Sequence, residues 1–197
     1  LFALGLVVHF IRTDHADRRA TAERRASIYA QQIDGFIEAR IQALSLLADS
    51  PLADDPRRWP EFYAAAQGFQ RGFGSHVIFA DADRQMLFTT RTPFGQALPR
   101  LPDAPRGRAA AALALATGKP AVGDVVKGPV AGETLVAIAV PGLREGRVRH
   151  LLLVTTTTRE MQQRLQAIPR DPEWAVTARD SAGDAIAQVG PPGFDSA

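Results

Sequence analysis

From about Asp14 to Asp49 nothing in the sequence breaks a helix except Gly35. Within that stretch Ile33, Ile37, Ile41, Leu44 and Leu47 recur at steps of four, four, three and three, and Phe36 and Ala26 extend the stripe. This spacing puts the apolar side chains on one face of a helix. A helix this long with one apolar face must lie against another layer of structure. The part up to about Ala26 lacks the stripe and reads as a solvated stalk. Pro51 and Pro56 mark a break. A short helix is expected from Pro60 to Gln70, with the proline in its first turn.

The pattern then changes to strands. His76–Ala80 and Gln85–Thr90 are short apolar runs around the turn Asp81–Arg84, which predicts a hairpin. A Pro-rich loop follows, then an Ala- and Leu-rich helix at about Arg106 to Thr117, with Gly118 where a C-cap glycine belongs. Three strands are expected at Ala121–Val126, Thr134–Val140 and Arg147–Thr157, then a helix at Arg159–Ile168. Five strands linked by hairpins and one crossing helix make an α+β fold, an antiparallel five-stranded sheet with helices packed on it. Trp174 to Val189 again reads strand, Asp- and Gly-containing turn, strand. Aligned on Asp81 and Asp180 it matches the first hairpin at Val77/Val176 and Leu87/Ile186, a weak repeat at an offset of 99 residues.

Composition narrows the chemistry. The chain has 197 residues and no cysteine, which removes disulfides, thiolate catalysis and Cys-based zinc sites. The four histidines, His9, His15, His76 and His150, show no metal-ligand spacing. A formal net charge of +2, without an unopposed basic block, gives no nucleic-acid footprint. There is no nucleophile elbow, plausible triad or Gly-rich nucleotide loop, so this segment is expected to be non-catalytic, without cofactor or metal.

The chain starts at Leu1, and residues 1–11, LFALGLVVHFI, are nearly all apolar. Eleven residues are too few to span a bilayer, so they read as the outer end of a transmembrane helix; the alternative is a buried helix terminus. Arg12, Arg18, Arg19, Arg24 and Arg25 just after it would favour a cytoplasmic flank, which counts against an extracytoplasmic domain unless a long translocated domain overrides the rule.

The stretch HVIFADADRQMLFTTRTPFGQALP resembles the first hairpin and following loop of Cache domains, the PAS-like extracytoplasmic sensor modules of bacterial receptors. The loop is Thr90, Arg91, Thr92, Pro93, Phe94 and Gly95, then Leu98 and Pro99, similar to the Thr-Arg-x-Pro-Phe/Tyr-Gly loop of sensor kinases of this kind. The strands of AVGDVVKGPVAGETLVAIAVPGLREGRVRHLLLV also look like the family's last three. The likeness covers roughly Tyr29 to Thr158, and Trp174 to Val189 looks like the opening of a second, membrane-proximal unit. It implies this organisation: membrane-helix end at 1–11, stalk helix at 12–50, membrane-distal PAS-like domain at 51–158, and linker helix plus truncated second unit at 159–197. It also implies an inner-membrane receptor with a periplasmic small-ligand sensor, expected to be a homodimer. The output, expected to be a histidine kinase and alternatively a diguanylate cyclase or chemoreceptor, would lie beyond this chain.

Four residues are candidate ligand groups. Arg91 follows a strand, and its planar fork suits a carboxylate or phosphate; the alternative is a salt bridge that orders the loop. Asp124 lies in an apolar strand, where an unpaired carboxylate is costly. It is either a pocket group for a cationic ligand or a partner for Lys127 or an arginine. Strand alternation puts Asp124 and Lys127 on opposite faces unless a bulge intervenes. His76 opens the first strand and either faces the pocket or is structural. Thr155–Thr158 either bonds a small ligand or ends a strand and caps the next helix. Tyr29 and Tyr63 are the only tyrosines and fall in helices. That speaks against an amino-acid ligand, since double-Cache amino-acid sensors have sites rich in Tyr, Trp and Asp.

Overall fold

The structure is a computed structural model that describes residues 16–103, 107–169 and 174–191. The expected membrane-helix end lies outside those residues. Among the described residues no helix is long and apolar enough to cross a membrane.

Helix α1 (Ala16–Ala48) runs 33 residues, about 50 Å at the helical rise. The expected stripe is its buried side: Ile33, Ile37, Ile41 and Leu44 are all buried, with Tyr29 and Ala22 extending it toward the start of the helix. That start is therefore less bare than a solvated stalk; Arg25 also sits 5.2 Å above the Trp174 indole. Two short 3-10 turns lead to α2 (Trp59–Phe73). Arg40, buried on α1, fixes the end of α2: it donates to the Phe73 carbonyl at 2.8 Å and to Ser75 Oγ at 3.1 Å. Burial, then repulsion from Arg164, holds its pKa down to about 10. The Phe36 ring lies between these two guanidiniums, 3.4 Å from Arg40 and 3.9 Å from Arg164.

The strands are β1 (His76–Asp81), β2 (Met86–Thr89), β3 (Ala121–Val122), β4 (Val126–Lys127), β5 (Thr134–Arg144) and β6 (Arg147–Thr157). They form one antiparallel sheet in the order β2-β1-β6-β5-β3, with β4 also on β5. The expected single strand Ala121–Val126 is thus two short pieces on one edge of β5, and the sheet counts six strands rather than five. Period-2 alternation divides each strand between two cores. Val77, Phe79, Phe88, Ile138, Leu152 and Val154 face α1 and α2. Ile78, Ala80, Met86, Ala139, Leu151 and Leu153 face the other way, toward α3 (Ala110–Thr117). Phe79 sits at the centre of the first core, edge-on to Trp59 and Phe62 and tilted against Phe88.

The loop after β2 returns along the outer edge of that strand. Gln85 bridges to Arg100, Gln85 Nε2 donates to the Leu98 carbonyl at 2.7 Å, and the Leu101 amide donates to the Arg84 carbonyl at 2.8 Å. Helix α4 (Thr158–Ala167) begins on a capping box: Thr157 Oγ1 accepts from the Glu160 amide at 3.1 Å, and Glu160 accepts from the Thr157 amide at 2.7 Å. Strands β7 (Val176–Arg179) and β8 (Ala185–Val189) form a separate hairpin.

The two hairpins suspected of repeating each other are built alike. In each the amide of the turn aspartate, Asp81 or Asp180, donates to the carbonyl of the residue four further on, and its carbonyl accepts the amide of the residue three further on. In each the side chain also accepts the amide of the residue four further on, at 2.8 Å. Register shifts at Phe79/Ala80 in the first hairpin and at Ala178/Arg179 in the second. The residue three past the aspartate has positive φ in both, Arg84 at 66° and Gly183 at 90°.

Candidate functional site

Between the α3 face of the sheet and the loops around it lies a cavity. Its floor is Ile78, Ala137, Leu153 and Thr155 from three neighbouring strands. Its roof is Ala110 and Ala111 of α3, with Leu101 and the 123–131 segment at the sides. The space open to the centre of a water-sized molecule is about 50 Å³, several times the ~10–15 Å³ that one water needs.

Arg91 reaches this cavity from the end of β2. Its Nη2 lies 3.5 Å from Thr155 Oγ1, and its amide donates weakly to Thr89 Oγ1 at 3.4 Å. No described carboxylate pairs with it, so the expected loop-ordering salt bridge is absent among the described residues. The threonine run divides its tasks: Thr155 faces the cavity, while Thr157 caps α4.

Asp124 also borders the cavity, but its carboxylate is turned away to other work. One oxygen accepts the Ser181 amide at 2.8 Å; the other accepts the Ser181 hydroxyl at 2.6 Å and the Arg108 amide at 2.6 Å. The Arg108 guanidinium is 3.8 Å away. Burial pushes the Asp124 pKa up, but the Ser181 and Arg108 hydrogen bonds outweigh it and hold the group below its ordinary value. Of the two expected roles, the partner for an arginine describes it, with Arg108 in place of Lys127.

Lys127 lies on β4, exposed, outside the cavity and without an ion pair among the described residues. The bulge that would have joined it to Asp124 is a full break in the strand, and it turns the two side chains apart. His76 is paired across the sheet with Thr155 and so shares the cavity face, yet it does not line the cavity. Its Nδ1 is 3.2 Å from Thr90 Oγ1. Burial, then the positive charge of Arg91, lowers its pKa. The structure thus brings Arg91 and Asp124 to the cavity and leaves His76 and Lys127 beside it. Sequence reasoning missed the apolar lining from α3 and the 123–131 segment, whose Ala, Gly, Pro and Val residues carry no chemical signal.

No family model matches the sequence, and no curated protein does. Solved structures do. The ligand-binding domain of the Pseudomonas fluorescens chemoreceptor CtaA, in complex with L-serine, superposes with a TM-score of 0.64 at 13% identity, covering 87% of this chain and 72% of that one. The domain of the Pseudomonas aeruginosa PAO1 amino acid chemoreceptor PctC, with GABA, gives 0.59 at 21% identity over 82% and 71%. That of the Campylobacter jejuni chemoreceptor Tlp3, with L-norvaline, gives 0.60 at 12% identity over 86% and 70%. The chain spans only 64% of the isoleucine-bound CtaA chain. At these identities the likeness is one of fold: an α+β architecture shared with the ligand-binding domains of bacterial chemoreceptors.

Proposed function

We propose that this chain is the extracytoplasmic, small-ligand-binding module of a membrane-bound bacterial receptor. The observation that carries this reading is the cavity between the sheet and α3, with an arginine at its margin that has no carboxylate partner among the described residues, in a fold shared with domains that bind serine, GABA and norvaline. The module binds and transmits without catalysis, and residues 159–197 open a second, membrane-proximal unit, a reading supported by the matching Asp81 and Asp180 turns. The likeness of the Thr90–Pro99 loop speaks for a sensor histidine kinase of a two-component system as the whole protein; the solved neighbours speak for a chemoreceptor. The alternative, a dimerisation and force-transmitting module without its own ligand, draws on Ile28 and Leu46, two large apolar side chains exposed on α1. Dimerisation through α1 is compatible with both.

A thermal-shift screen against carboxylates, amines, amino acids and sugars tests the reading. At least one class should raise the melting temperature, and Ala137→Leu, which fills the cavity floor, should remove the response. No response in the unsubstituted protein would refute ligand sensing and leave the transmitting module. Because the chain has no cysteine, Lys119→Cys provides a single label site for a membrane-impermeant maleimide in whole cells. Labelling is expected on the outer side.

A further inference from the structure

The lining of the cavity is chemically one-sided, and from that we infer its ligand class: a short, apolar monocarboxylate without an α-ammonium group. This inference rests on the cavity being the ligand site.

Recognition of an ammonium group needs a free carboxylate, a set of carbonyl acceptors or an aromatic face. The only acidic residue among the described lining residues is Asp124, and none of them is aromatic. Asp124 is 3% exposed and already accepts three hydrogen bonds from Arg108 and Ser181. A cationic ligand would have to break those bonds to reach it. Both tyrosines lie elsewhere: Tyr29 and Tyr63 belong to the opposite core, and the Tyr63 hydroxyl is spent on the Thr92 carbonyl at 2.8 Å. An ammonium placed in this cavity would find neither a free carboxylate nor an aromatic face among the described lining side chains.

A carboxylate meets the opposite situation. Arg91 has five donors, and one loose contact to Thr155 is the only bond its guanidinium makes to a described residue. Thr155 is buried, accepts that contact and donates to no described residue, so its hydroxyl hydrogen is available to a second carboxylate oxygen. Arg91 and Thr155 together thus offer a donor fork and a hydroxyl at one end of the cavity. Beyond them Ile78, Leu101, Leu153 and Val130 offer only hydrocarbon and Met86 a thioether, which suits a short aliphatic chain.

The matched pair 4-methylpentanoate and L-leucine differs only by the ammonium, and isoamylamine carries the ammonium without the carboxylate. Isothermal titration of the protein with each is the test. The carboxylate should bind at least about ten-fold more tightly than leucine, and the amine should give no heat. Arg91→Gln should weaken the carboxylate by about ten-fold or more, and Arg91→Lys should recover part of the loss. Arg91 is half-buried at the cavity margin, so both variants should melt like the parent when unliganded. If leucine binds as tightly as the carboxylate, or if Arg91→Gln leaves the affinity unchanged, the ligand class is wrong while the sensor reading stands. If none of these compounds binds and the broad thermal-shift screen is also silent, the sensor reading itself has failed.

Discussion

Asp124 and Ser181 lie 57 residues apart in sequence and are joined by two hydrogen bonds, from the serine amide and hydroxyl to the two carboxylate oxygens. The bond is answered from the other side: Asp180, the neighbour of Ser181, accepts the amide of Val125, the neighbour of Asp124, at 2.9 Å. Each loop therefore holds the other's backbone through a carboxylate, and this reciprocal clamp docks the β7–β8 hairpin beside the cavity wall.

Removing one half of the clamp should release the hairpin. Asp124→Ala leaves the Arg108 amide and both Ser181 donors without their acceptor and should cost about 3 kcal/mol. Ser181→Ala removes one hydroxyl and should cost only about 1 kcal/mol. Hydrogen exchange read by mass spectrometry should show faster exchange across 176–189 in the aspartate variant, with β1 and β6 little changed. Uniform acceleration across the chain would contradict the clamp.

The same carboxylate gives the stability an acid limb. Its folded pKa lies below the ordinary value of 3.8, so its contribution is complete above that value and is lost as pH falls through the folded pKa. The histidines act at higher pH. Burial is the first cause that lowers the pKa of His150 and of His76. The unfolded chain therefore takes up their protons first. Stability is full above about pH 6.5, falls as pH drops from there toward the folded values, and then levels out. Urea melts between about pH 7 and pH 5 should show this decline, and His150→Gln should reduce its slope. An unchanged slope would exclude His150 as a contributor.

His150 also fixes the residue beside it on the sheet. It pairs with Gly142, and its Nε2 lies 3.1 Å from the Ala48 carbonyl at the end of α1. A Cβ at Gly142 would run into the imidazole ring. Gly142→Ala should therefore cost roughly 2 kcal/mol as an overpacking substitution. Adding His150→Ala should relieve much of that cost, giving a favourable coupling in a double-mutant cycle. Additive losses would show that the ring moves aside freely.

Two phenylalanines provide a contrast in packing. Phe79 is 1% exposed amid the rings of Trp59, Phe62, Phe88 and His150, whereas Phe94 is 39% exposed on the loop. Phe79→Ala should cost about 3–5 kcal/mol, and Phe94→Ala well under half of that, read as chemical-denaturation midpoints.

Where periodicity or turn chemistry decides the structure, the sequence was sufficient to read it. The Ile33–Leu47 stripe, the Asp81 turn, the Gly118 cap and the span of β6 all follow from local residues. What local reasoning missed depends on contacts far along the chain. The split between β3 and β4 occurs where the Asp124 amide bonds to the Arg108 carbonyl and its side chain to Ser181, and neither is visible in the apolar run Ala121–Val126. Likewise the strand expected to end at Val140 continues through Pro141 and Gly142 to Arg144. The proline is tolerated there because β3 pairs with β5 only at Ile138 and Ala139, leaving the far side of β5 without a partner strand beyond them. Arg91 was legible as a charged residue after a strand; that it would lack a carboxylate partner among the described residues was not.

The loop that returns along β2 has an effect unrelated to ligands. A sheet edge with free amides and carbonyls is a template on which a second chain can add its own strand, the first step toward aggregation. Here β2 is only four residues long, and the bridge from Gln85 to Arg100 and the bond from Leu101 to Arg84 occupy its outer side. Pro99 and Pro102 flank that cover and cannot donate to an incoming strand. The domain thus has one flank of its sheet closed to any neighbouring chain, whether or not its cavity is filled.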